Sequence, residues 1–77
     1  MNKKLANLIA GVLRVSENQL NMKTGPANLD TWDSLAHVTI VAAVEETYSI
    51  ALSMPEILAI KSIGDLDKII KNKSKVG

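Results

Sequence analysis

From about Asn2 to Val15, the apolar residues Leu5, Leu8, Ile9, Val12 and Leu13 fall at the spacing of a single stripe along a helix. Asn2 stands where an N-cap would satisfy the free amides of the first turn. The pattern then lapses. Residues 16–32 contain Asn18, Asn21, Gly25, Pro26 and Asn28, which favour turns, with Leu20, Met22 and Leu29 as scattered apolar positions. A connection this long in so small a domain is either functional or carries short structure of its own, and Leu20, Met22 and Leu29 are expected to pin it to the core.

A second periodic segment runs from Ser34 to Tyr48. Val38-Thr39-Ile40-Val41 is β-branched and would suit a buried strand. Length and spacing favour a helix instead, because Leu35 and Val38 are three apart while Ile40, Val44 and Tyr48 follow four apart without a turn signal. Ser53-Met54-Pro55-Glu56 then places a capping-box pair and a first-turn proline ahead of a short helix through about Ile60. Ser62-Ile63-Gly64-Asp65 repeats the start signal, and Ile63, Leu66, Ile69 and Ile70 give the last helix a core stripe before a lysine-rich end. The expected architecture is an all-α four-helix bundle, three main helices plus one short helix with a long first loop, in a single domain over 1–77.

Composition narrows the chemistry. With 77 residues the chain is near the lower limit at which an apolar core offsets chain entropy unaided. The absence of cysteine removes disulfides, thiolate metal sites and thiol catalysis, and is compatible with a cytoplasmic setting. A single histidine with no cysteine and no plausible metal cluster argues against an enzyme, so neither catalytic nor metal-ligating residues are expected. The net charge of +1 is too balanced for nucleic-acid binding. Lys61, Lys68, Lys71, Lys73 and Lys75 load the C-terminal third and are expected to form a solvated helix face. Nothing is long enough to span a membrane, and the apolar stretch after Lys4, interrupted by Asn7 and Gly11, does not make a signal peptide.

The residues best suited to chemistry are Asp33 and Ser34, at the start of the second helix. Either is a good N-cap. If Asp33 caps, Ser34 becomes the first helical residue and its hydroxyl stays free, beside unpaired amides that favour an attached anion. Asp33-Ser34-Leu35 in this position, with Val38, Ile40, Val44 and Tyr48 after it, the acidic pair Glu45 and Glu46, and Ile60, Ile63 and Ile70 further on, resembles the acyl carrier protein family over essentially the whole chain.

That resemblance implies a covalent 4′-phosphopantetheine on Ser34, transferred from coenzyme A by a phosphopantetheinyl transferase with the assistance of Asp33 and a magnesium ion. The arm would supply the thiol that the sequence lacks and carry an acyl group as a thioester. The implied partners are that transferase, an acyl-loading ligase or acyltransferase, and a downstream synthase or transferase, with no nucleic acid or membrane, and the carrier is implied to be a monomer. Partner contacts would fall on Leu35 and Val38, for which core packing is the other reading and of which Leu35, so close to Ser34, is the better contact candidate, and on Glu45 and Glu46.

The sequence departs from the pattern of many fatty-acid carriers, which have a glycine three residues before the serine and a strongly acidic second helix. Thr31 replaces that glycine, and Ala36, His37 and Thr39 stand where acidic or small polar residues are usual. Trp32 and His37 are similar to residues in carriers dedicated to specialised lipid, polyketide or polysaccharide-modification pathways. Trp32 would either pack locally or contact a partner, and His37 would either meet the arm's phosphate or a partner, or stand exposed. Ala42, Ala43, Ala51 and Ala59 would either leave room for cargo between helices or simply allow close packing. The competing functions are an aminoacyl or peptidyl carrier and an unmodified helical interaction module.

Overall fold

The computed structural model describes residues 2–74 and contains, in order, α1 (Lys3–Leu13), a 3₁₀ turn (Glu17–Gln19), α2 (Ser34–Tyr48), α3 (Met54–Ala59) and α4 (Ile63–Ser74). This is the expected all-α architecture, with no strand among the described residues. Lys75 lies outside them.

Asn2 caps α1, its Oδ1 accepting from the amides of Lys4 at 2.9 Å and Leu5 at 3.2 Å. The helix buries Leu5, Ala6, Ile9, Ala10 and Leu13 and packs along α2. It stops before Val15, where the apolar pattern placed its end. Arg14 adopts a left-handed conformation (φ 59°), and the amides of Arg14 and Val15 both return to the Ala10 carbonyl. Val15 still packs partly against the core, so the apolar pattern outlasts the helix.

The long loop is ordered by its own polar side chains and by the start of α4. Ser16 and Gln19 close a capping box on the 3₁₀ turn, and Asn28 Oδ1 accepts from the Gly25 amide at 2.8 Å. The carbonyls of Thr24 and Met22 accept from the amides of Ile63 (2.8 Å) and Gly64 (2.9 Å). Gly25 lies so close to the Lys61 carbonyl that a Cβ there would collide with backbone. Leu20 is buried and Leu29 half-buried on the core, as expected, but the Met22 side chain is 40% exposed. Met22 therefore anchors the loop through its carbonyl, a contribution that side-chain pattern does not reveal.

Leu5, Ile9, Leu13, Trp32, Ile40, Val44, Ile63 and Leu66 form the fully buried centre. Each aliphatic member contributes about 1.5–3 kcal/mol of transfer free energy relative to exposure. In α2 the buried stripe is Ala36, Ile40, Val41 and Val44, which leaves Leu35 and Val38 on other faces. Ser62 opens α4, its Oγ accepting from the Asp65 amide at 3.2 Å while Asp65 Oδ2 accepts from the Lys61 amide at 2.9 Å. The lysine face is only partly free: Lys71 pairs with Asp67 at 3.1 Å, and Lys73 crosses to Glu56 of α3 at 3.0 Å.

Candidate functional site

Asp33 is the N-cap of α2, with an extended backbone (φ −94°, ψ −172°) and Oδ1 accepting from the Ala36 amide at 2.8 Å. Ser34 is thus the first helical residue, and it is exposed. Its hydroxyl makes no hydrogen bond among the described residues. The amides of Ser34 and Leu35 have no intrahelical acceptor, so the hydroxyl projects from a turn with residual positive potential. An exposed, uncommitted hydroxyl beside unpaired amides fits a phosphodiester-linked group, since the bulk of such a group stays in solvent while its anion meets the helix end.

Two depressions lie beside the start of α2; Ser34 lines the first, and Asp33 lines both. On the α3 side an open apolar groove of about 650 Å³ is lined by Trp32, His37, Val38, Val41, Met54, Ile57 and Leu58, together with Pro26, Asp33 and Ser34 itself. On the α1 side a second open depression, of about 570 Å³, is lined by residues including Arg14, Thr31, Leu35 and Thr39. Leu35 is 76% exposed and Val38 63% exposed, so neither serves the core. Val38 lines the same groove as Ser34, one helical turn on, and Leu35 lines the depression on the α1 side. Met54 and Leu58 extend the exposed apolar surface across α3. None of Ala42, Ala43, Ala51 and Ala59 lines this groove.

The acidic pair divides. Glu46 is exposed, whereas Glu45 is half-buried and accepts from the Leu52 amide at 2.9 Å, holding the α2–α3 loop. Of the exposed positions on α2 past the first turn, Val38, Thr39, Ala42, Glu46 and Thr47, one is acidic. Beyond its first turn, the exposed face of α2 is therefore largely uncharged.

Trp32 takes the packing role, with 2% of its surface exposed. His37 takes neither of its expected roles. It is half-buried, with Nδ1 3.0 Å from Trp32 Nε1 and Nε2 3.0 Å from the Ile57 carbonyl oxygen, so both ring nitrogens are engaged within the protein. The five-residue spacing of Trp32 and His37 across a helix start was the available signal for this pairing, and only the fold brings Ile57 to complete it.

At the other end of α2 the Tyr48 hydroxyl is buried without a hydrogen-bond partner among the described residues. Burial and the nearby Asp67 carboxylate push its pKa up. This group lies at the opposite end of α2 from Ser34, with the Lys4 ammonium of α1 5.1 Å over its ring.

Comparison with known proteins agrees with this geometry. Residues 3–68 match the family model of the phosphopantetheine attachment site. A search of curated proteins returned no match. Among solved structures, the chain is similar to the solution structure of holo acyl carrier protein from Geobacter metallireducens, with 27% sequence identity and a TM-score of 0.82 over 91% of this chain and 80% of that one. A family match over most of the sequence and a shared fold together show that the chain belongs to the acyl carrier protein family, whose members carry a covalently attached 4′-phosphopantetheine arm.

Proposed function

We propose that Ser34 is the residue that receives the 4′-phosphopantetheine arm, and that the domain presents acyl groups on it to successive enzymes of a specialised lipid, polyketide or polysaccharide-modification pathway. The observation that carries this is the solvent-facing hydroxyl of Ser34 at the first position of α2, freed because Asp33 takes the cap. Asp33 is exposed and caps through one carboxylate oxygen, which leaves the other placed to assist the transfer. The arm supplies the terminal thiol, and hence the thioester linkage, that a chain without cysteine cannot provide.

The domain itself acts as a non-catalytic cytoplasmic carrier. Its partners are a phosphopantetheinyl transferase, an acyl-loading ligase or acyltransferase, and a downstream synthase or transferase. A flexible tether holds a cargo near a docked enzyme at an effective concentration on the order of millimolar, so weak docking suffices for delivery. Leu35 and Val38 provide exposed apolar contact beside the serine, and Glu46 a modest charge. Glu45 contributes less than its sequence position suggests, because the Leu52 amide already engages it. With so little acidic surface on α2, docking depends on shape and apolar contact more than on long-range steering, which suits dedicated partners.

The test is intact mass measurement after incubation of the unmodified protein with coenzyme A, magnesium and a broad-specificity phosphopantetheinyl transferase. Wild type gains one phosphopantetheine and Ser34→Ala gains none. A wild type that stays unmodified would instead identify an interaction module with a carrier-like fold.

A further inference from the structure

His37 is the only histidine of the chain and Trp32 the only tryptophan, and the structure joins them. An indole N–H can only donate, so His37 Nδ1, 3.0 Å from Trp32 Nε1, must be the bare nitrogen. The proton of the neutral ring is then on Nε2, where it donates to the Ile57 carbonyl at 3.0 Å. That carbonyl belongs to the last turn of α3 and otherwise receives only the long 3.4 Å bond from the Ile60 amide. The helix has six residues and buries none of them. Trp32 is fixed in the core, so the three residues form a continuous tie from the core, through the serine-bearing helix, to α3. All three line the groove beside Ser34.

We propose that His37 is a positioning residue: held as the Nε2–H tautomer, it fixes α3 against the first turns of α2 and thereby sets the face that the enzyme modifying Ser34 must recognise. The inference rests on the carrier function of Ser34. His37 acts through α3 and not on the serine hydroxyl, because both of its nitrogens are already engaged. Its removal leaves the Trp32 N–H buried without its acceptor and the Ile57 carbonyl with only the long bond from the Ile60 amide. A buried donor left unmatched shifts a local opening equilibrium by roughly five-fold to a hundred-fold.

Two measurements test this. Nitrogen-15 NMR of the single imidazole should show an unprotonated Nδ1 and a protonated Nε2 in slow exchange with water; an Nδ1–H ring, or averaging between the two tautomers, would overturn the proposal. In phosphopantetheinyl transfer from coenzyme A, His37→Ala should raise the KM for the carrier roughly ten-fold with little change in kcat, the pattern of lost recognition without lost chemistry. Trp32→Phe keeps one six-membered ring but removes the N–H donor together with the rest of the indole, so it should raise KM in the same direction. A wild-type KM in both variants, or a fall in kcat at unchanged KM, would contradict the positioning role. Should wild type accept no arm, the carrier function falls, while the imidazole spectrum still decides whether His37 ties α2 to α3.

Discussion

α1 sends Leu5, Ile9 and Leu13 into the core, whereas α3 buries none of its residues and rests only Ile57 partly against it. A six-residue helix cannot persist on its own in water. It is held at its ends instead. Ser53 and Glu56 close a capping box at the start, with the Ser53 amide donating to Glu56 Oε1 at 2.8 Å, and Lys73 of α4 binds the same oxygen at 3.0 Å. His37 meets the Ile57 carbonyl near the other end. The two helices show two ways of fixing an element: apolar burial makes α1 part of the global fold, while a few polar contacts make α3 a wall that can open locally. That wall forms one side of the groove beside Ser34, where a carrier visiting several enzymes benefits from a surface that adjusts at small energetic cost.

The sharpest break in this comparison is Ile9→Ala. Removing a fully buried isoleucine should destabilise the whole domain by about 2–5 kcal/mol in chemical denaturation. Loss confined to local exchange, with an unchanged midpoint, would show that α1 is not the anchor described. Next comes Ser53→Ala, which deletes a cap worth about 1 kcal/mol. Faster amide exchange in α3 with little change in α1 is expected, and uniform loss across the chain would merge the two classes of helix.

Acid should act on the same end of α3. The Glu56 carboxyl is held below its ordinary range, first by the Ser53 amide and then by Lys73. A depressed carboxylate contributes stability that is present above its unfolded pKa and is lost as pH falls through the folded value. Amide exchange in α3, corrected for its intrinsic pH dependence, should therefore rise on acidification below the ordinary carboxylate range, and Glu56→Gln should remove that dependence. A wild-type pH profile in Glu56→Gln would exclude this carboxyl as the cause.

Leu35→Ala should have the smallest effect on stability, within about 0.5 kcal/mol, because the side chain is exposed. It should nonetheless raise the KM of partner enzymes, with less salt dependence than Glu46→Gln confers. Unchanged partner kinetics would remove Leu35 from the docking face.

Much of this division was legible in the sequence. The stripe of α1 and the caps at Asn2, Ser53 and Ser62 follow from local spacing and side-chain hydrogen bonding, which a linear sequence displays directly. That α2 opens at Asp33-Ser34 was legible for the same reason, although both are good caps and only the structure gives the cap to Asp33. What escaped is nonlocal or carried by backbone. The Met22 carbonyl bonded to Gly64, the Lys73–Glu56 pair and the His37–Ile57 bond all join segments distant along the chain. α2 was ambiguous in a different way. With apolar residues on several faces, its pattern identified a helix but could not say that Leu35 and Val38 face solvent while Ala36 and Val41 face the core. Glu45 looked like surface charge because the Leu52 amide it serves is brought to it by the left-handed cap at Ser49.

The hydroxyl that opens α2 is the proposed attachment point of the arm, and its modification can be read directly on the chain. After transfer from coenzyme A, proteolysis and fragment mass analysis of the peptide spanning 24–61 should place the added phosphopantetheine on Ser34, with Ser49 and Ser53 in the same peptide unmodified. An addition on either of those serines, or a peptide of unchanged mass, would contradict the account.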